Sequence, residues 1–172
     1  MSWWIALVFF LPAGVANATP VVANKIPLLN KWQTPLDFGI SLRGKRLLGK
    51  NKSWRGLLTG SVFAGVTALL LSPIVHYSDN WLATFGVGFV LGFGALFGDA
   101  LESIIKRQHG IEAGHSWFPF DQIDYIIGGL LFVAPFSDLT WQLMALIMVA
   151  FFGLHLVFAY IAFKLGLKSK PI

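Results

Sequence analysis

The sequence contains no cysteine. That excludes disulfides, thiolate metal sites and cysteine nucleophiles, and leaves the redox compartment open. Charge is scarce: only 12% of the 172 residues are Asp, Glu, Lys or Arg, about half the share in a soluble domain. Acid is scarcer than base, with eight Asp and Glu against thirteen Lys and Arg. No Ser-His-Asp arrangement and no His-Glu-x-x-His motif is legible, which disfavours a hydrolase. Gly49 to Gly56 lacks the glycine spacing of a P-loop. No internal repeat is visible, which counts against a transporter built from related halves.

What the chain does have is hydrocarbon. It is 56% hydrophobic, with a mean hydropathy of +0.69. This composition predicts an all-α integral membrane protein, a single transmembrane domain spanning 1–172. The apolar runs predict five transmembrane helices over about 2–24, 57–75, 81–105, 120–136 and 141–163, since each crossing takes about 20 apolar residues. The first run could pass for a signal peptide. It has no Lys or Arg before its apolar core, and so reads as a retained helix. The fourth run is anomalous. Tyr125 to Phe136 is too short to cross, and extending it back to Trp117 places Asp121 and Asp124 within the helix. Pro119 suits a helix start, and an acid in the first turn suits the helix dipole.

Loops 25–56 and 106–120 and the tail hold nearly all the base, including Lys25, Arg43, Lys164, Lys168 and Lys170. The turns at Asp79 and Asp138 hold none. The positive-inside rule therefore puts both polar loops and the C-terminus in the cytoplasm and the N-terminus outside, in the cell membrane. The formal charge of +5 and pI near 9.7 are explained this way without nucleic acid as a partner. A second reading of the first loop stays open. Gly49-Lys50-Asn51-Lys52-Ser53-Trp54-Arg55-Gly56 stands directly before a helix, where glycines and a helix N-terminus favour phosphate.

The block Leu96 to Asp124 holds five of the eight acids, namely Asp99, Glu102, Glu112, Asp121 and Asp124, with Lys106, Arg107, His109 and His115. Ionisable groups near hydrocarbon cost about 2.5–3.5 kcal/mol each on insertion scales, and so mark a functional site. Asp99, Glu102 and Lys106 share one helix face, as do Asp121 and Asp124. Asp99, Asp121 and Asp124 are the candidate ligands for Mg2+, which takes carboxylate oxygens together with substrate phosphates. Lys106, Arg107, Lys50, Lys52 and Arg55 are the candidates for neutralising a triphosphate. His109 and His115 lack a further clear ligand for zinc. His155, alone on an apolar helix, reads as a packing or hydrogen-bonding residue rather than a ligand. Gly88 and Gly92 match the small-xxx-small pattern of close helix packing.

Two stretches then carry a resemblance. Gly98-Asp99-Ala-Leu-Glu102-Ser103-Ile-Ile-Lys106-Arg107, followed by Pro119-Phe-Asp121-Gln-Ile-Asp124, resembles the signature of the CTP-dependent cytidylyltransferases that make CDP-diacylglycerol. The five-span chain with its Gly49–Gly56 loop is similar to the archaeal branch, the CDP-archaeol synthases. Two positions depart from the bacterial signature, Glu112-Ala113 in place of Lys-Asp and Gln122 in place of Arg, and both favour the archaeal branch. The resemblance implies transfer of a cytidylyl group from CTP to 2,3-bis-O-(geranylgeranyl)-sn-glycerol 1-phosphate, an isoprenoid ether lipid phosphate, with release of pyrophosphate. It implies catalytic roles for Asp99, Lys106, Arg107, Asp121 and Asp124, and Asp99, Asp121 and Asp124 as the ligands of Mg2+. Lys50, Lys52, Ser53, Arg55 and Ser103 would meet substrate phosphate, and Asp37 would be a supporting ligand or orient a base. The competing readings are a small transporter or channel with a buried charged pathway, a synthase acting on ester lipids, a polyprenol kinase and an acyltransferase.

Overall fold

The computed structural model describes residues 1–24, 26–42, 44–49, 52–112 and 115–166. Lys25, Arg43, Lys50, Lys168 and Lys170 lie outside the described residues. The chain runs α1 (Trp3–Ala23), α2 (Pro27–Asn30), β1 (Ser41–Leu42), β2 (Lys45–Arg46), α3 (Trp54–Leu71), α4 (Trp81–Gln108), α5 (Phe120–Val133), a single 3-10 turn (Ala134–Phe136) and α6 (Trp141–Lys164).

Among the described residues, four helices are long and apolar enough to cross a bilayer: α1, α3, α4 and α6. The fifth apolar run forms a helix of 14 residues with a three-residue 3-10 extension. At 1.5 and about 2 Å per residue these reach roughly 27 Å, just under a hydrocarbon thickness of about 30 Å. The multi-pass helical architecture is thus as expected. The first polar loop is more ordered than its composition suggests: it contains α2 and an antiparallel hairpin, pairing Ser41 with Arg46 and Leu42 with Lys45.

The helix starts follow local chemistry. Ser53 caps α3 by accepting from the Gly56 amide at 3.2 Å, so the helix begins three residues before the apolar run. Asn80 caps α4 by accepting from Ala83 at 2.8 Å. Each cap satisfies an amide that the first turn leaves without a partner. Trp3, Trp81 and Trp141 open α1, α4 and α6 at one end of the bundle and are 65%, 72% and 74% exposed. Amphipathic rings at one level suit a membrane interface.

Helix α4 is the centre and packs on α1, α3 and α5. In hydrocarbon, helices associate through close packing rather than release of water, and small residues permit it. Gly88 faces Ala64 and Ala68 of α3, while Gly92 faces Ala64 and Ala16. Phe9, Phe10, Leu91, Ile126, Val133 and Ile147 fill the space between α1, α4, α5 and α6. Tyr77 follows α3, stacks on Phe9 with centroids 5.0 Å apart, and donates its hydroxyl to the Phe9 carbonyl at 3.3 Å.

Candidate active site

From Trp81, about 30 Å of rise at 1.5 Å per residue reaches Ala100. Asp99 and the turns beyond it therefore stand at the far membrane boundary. Both polar loops gather there. Lys45 of the hairpin donates to the Gln108 carbonyl at 3.3 Å. The backbone leading into α3 is pinned by Leu36 N to Lys52 O and by Trp54 N to Thr34 O, each 3.0 Å.

The approach of α4 and α5 brings the acids together. Gly94 and Gly98 on α4 face Gly128 on α5, and Gly98 also lies against the Asp124 main chain. With no Cβ between the backbones, one ligand oxygen from each of Asp99, Glu102 and Asp124 falls within 4.8 Å of the others. Glu102 is 8% exposed, and its Oε1 is buried without a hydrogen-bond partner. A buried carboxylate oxygen left in that state is costly, and three converging carboxylates repel. An all-oxygen donor set with a spare acceptor suits a hard divalent cation.

Asp121 is placed differently from the other expected ligands. Its Oδ1 pairs with Lys106 Nζ at 2.5 Å, and its Oδ2 accepts from the Trp117 amide at 2.7 Å. Lys106 is 6% exposed and also lies 3.9 Å from Glu102 Oε1. Lys52 pairs with Asp99. Among the described residues, four carboxylates against two ammonium groups leave two formal negative charges at the site, the charge of one divalent ion. Ser103 is buried beside Glu102 on α4. Arg107 donates to the Ile111 carbonyl and braces the turn after α4.

Several expected phosphate contacts are spent on scaffolding. Arg55, 5% exposed, donates to Asn24 Oδ1 and to the Leu29 carbonyl at 3.1 Å, and so ties the end of α1 to the start of α3. Ser53 is occupied as the α3 cap. Asp37 organises the hairpin: it accepts from Arg46 at 3.2 Å and from the Gly39 and Leu48 amides at 3.0 and 2.8 Å. Burial pushes its carboxyl up, but the Arg46 hydrogen bond, the two amides and the Arg46 charge outweigh that and hold it below its ordinary value. The clasp also sustains a φ of 48° at Phe38, uncommon for an aromatic residue. Lys50 lies outside the described residues.

Glu102 is the residue that sequence reasoning left out of the candidate metal ligands, and the structure places it with Asp99 and Asp124 in the one group of acids close enough to share an ion among the described residues. Its signal was present, because it stands one helical turn after Asp99. His109 packs near Trp117 with the rings tilted by 44° and centroids 5.8 Å apart. His155 lines a cavity of about 530 Å³ between α1, α5 and α6, with Leu11, Asn17, Tyr125 and Phe158.

The CarS-like family of CDP-archaeol synthases matches residues 3–172. A CDP-archaeol synthase of Methanococcus aeolicus is 34% identical, over 95% of this chain and 93% of its own length. That of Archaeoglobus fulgidus is 37% identical, over 86% and 89%. A solved structure, described as an intramembrane enzyme for archaeal membrane lipid biosynthesis, superimposes with a TM-score of 0.74 at 34% identity, covering 88% of this chain and 90% of that one. With a family match along nearly all its length and relatives of 34% and 37% identity over most of both chains, the chain belongs to the CDP-archaeol synthase family.

Proposed function

We propose that the chain transfers the cytidylyl group of CTP to the phosphate of 2,3-bis-O-(geranylgeranyl)-sn-glycerol 1-phosphate, releasing pyrophosphate and leaving a CDP-activated ether lipid. The observation that carries this reading is the convergence of Asp99, Glu102 and Asp124 to within 4.8 Å at the loop end of α4. The names of the relatives support it. A nucleotide cannot enter the bilayer and the lipid cannot leave it, so their reaction needs a site at that boundary.

Mg2+ is the cation this donor set would hold, and when bound it neutralises phosphate charge and polarises phosphoryl oxygens. The remaining work falls to the chain. Asp99, Glu102 and Asp124 are the ligands, and Asp121 acts through Lys106 by holding its ammonium at the site. Lys106, Lys52 and Arg107 offset the triphosphate charge, and Ser103 donates a hydrogen bond to phosphate. The lipid phosphate oxygen attacks the α-phosphorus of CTP. A new P–O bond forms, the α–β bridging P–O bond breaks, and pyrophosphate departs with that electron pair. The attacking oxygen is already an anion, so no general base is required. Catalysis reduces to alignment and charge neutralisation.

The isoprenoid chains, in this reading, enter the apolar cavity of about 530 Å³ between α1, α5 and α6, whose wall includes Tyr125, the residue after Asp124, and extend from it into the bilayer. In this reading α5 and its 3-10 turn make a fifth crossing. The N-terminus is outside, and the charged end of α4 faces the cytoplasm of the cell. The test is pyrophosphate release by purified chain in vesicles, with CTP, ATP, GTP or UTP and with ether or ester lipid phosphates. CTP with the ether lipid is the expected pair. Equal turnover of ester lipid would shift the reading to CDP-diacylglycerol synthesis, and no release with CTP would overturn it.

A further inference from the structure

Among the described residues, two lysines meet the acids, and they are held in different ways. Lys106 is sealed in place: its side chain is 7% exposed, between Glu102 and Asp121. Lys52 is reached by solvent: its side chain is 22% exposed and its partner Asp99 24%. Its backbone is fixed at both ends, the carbonyl accepting from Leu36 and the amide donating to the Gly49 carbonyl, while its ammonium is held by Asp99. The four-carbon stem is flexible enough to carry the ammonium to another partner once Asp99 releases it. Asp99 is shared, since it belongs both to the Lys52 ion pair and to the three-carboxylate cluster.

The geometry points to Lys52 as an exchangeable counterion: its ammonium neutralises Asp99 while no divalent ion is held, is displaced when the ion takes that carboxylate, and then turns to the phosphates of the incoming nucleotide. This rests on the metal role proposed above for Asp99, Glu102 and Asp124. A like-charged cluster at a membrane boundary needs a cation to stay assembled. A lysine on a flexible stem provides one, in an ion pair that solvent reaches from both sides. The exchange also leaves a positive charge free next to the ion, where a polyphosphate arrives.

The consequence is a pair of effects of opposite sign. Removing the Lys52 charge removes a competitor for Asp99, so bare cation binds more tightly, while nucleotide binds more weakly. A lysine with only a structural role would weaken both or neither. The experiment is Mn2+ binding to the full chain in detergent without nucleotide, followed by the free-ion resonance signal, for wild type, Lys52→Gln and Lys52→Arg. Lys52→Gln is expected to bind Mn2+ roughly two- to fivefold more tightly, the scale of a partly exposed ion pair, with a smaller CTP-induced rise in melting temperature. Lys52→Arg should return towards wild type in both. Equal or weaker Mn2+ binding by Lys52→Gln overturns the exchange. Asp124→Asn separates the two readings: if it binds Mn2+ as wild type does, the metal role itself is lost and the exchange with it. A second measurement needs no variant. Mg2+ alone should raise acylation of Lys52 by an amine reagent and leave Lys106 unchanged. Unchanged or reduced labelling of Lys52 contradicts displacement.

Discussion

The backbone of Gly98 lies directly against the main-chain carbonyl of Asp124, and Gly128 stands on the other side of the same contact. A methyl group at Gly98 would overlap that carbonyl and approach the Gly128 Cα to 2.9 Å. The obstacle is backbone, which cannot step aside, so α4 and α5 would have to part. Gly98→Ala is therefore expected to cost about 1–3 kcal/mol and to lose most activity, because Asp99 and Asp124 ride on the two helices being separated. Melting temperature and Mn2+ affinity measured together check this. A variant with wild-type metal affinity would show that the contact does not set the carboxylate spacing.

Glu102 and Asp121 should respond in opposite ways to removal of charge. Glu102→Gln relieves repulsion within the cluster, so the metal-free protein should melt at the same temperature or higher, with the Mg2+-dependent rise lost. Asp121→Asn removes the partner of a buried lysine. It should lower stability by about 1–3 kcal/mol, a buried-pair penalty discounted for the partial exposure of Asp121. Thermal unfolding with and without Mg2+ distinguishes the two.

Arg55 bonds Asn24 and the Leu29 carbonyl across the junction of α1 and α3. Hydrogen bonds to a charged group are worth about 1.5–3 kcal/mol. Arg55→Ala should accordingly lower the melting temperature while leaving the KM for CTP within about threefold, since less than 1 kcal/mol of nucleotide binding is at stake. A large rise in KM at normal stability would return Arg55 to the phosphate site.

Asp37 gives the fold a dependence on acid. Its carboxyl is held below its ordinary value in the folded chain. Its stabilising contribution is therefore fully present above the unfolded value, about 3.9, and is lost as pH falls through the lowered folded value. Asp37→Asn should be less stable at neutral pH and should lose less stability on acidification. Melting curves between pH 6 and pH 3 measure the difference. Parallel curves for the two proteins would remove Asp37 from the clasp.

Four helices were legible because each apolar run exceeds about 18 residues and ends at polar or capping residues such as Ser53, Asn80 and Thr140. The short α5 was legible as an anomaly: Asp121 and Asp124 within an apolar run placed its start at the boundary. The partition of the acids was not legible. Spacing puts Asp99, Glu102 and Lys106 on one face, but whether an acid serves a metal or a lysine depends on how closely α4 and α5 approach. The three glycines at 94, 98 and 128 decide that. Nor was the scaffolding role of Arg55 and Asp37. Their partners Asn24 and Leu48 are brought close only by the folding of the first loop, and a basic stretch before a helix reads equally well as a phosphate site.

The most direct measurement is cytidylyl transfer in lipid vesicles after complete chelation, followed by stepwise return of Mg2+, with wild type and Glu102→Gln side by side. Transfer should vanish in chelator and return with Mg2+ in wild type, while Glu102→Gln should need roughly tenfold or more Mg2+, the scale of losing one charged contact to the ion. Full transfer by wild type in chelator, or identical Mg2+ curves for the two proteins, would contradict a site built on Asp99, Glu102 and Asp124.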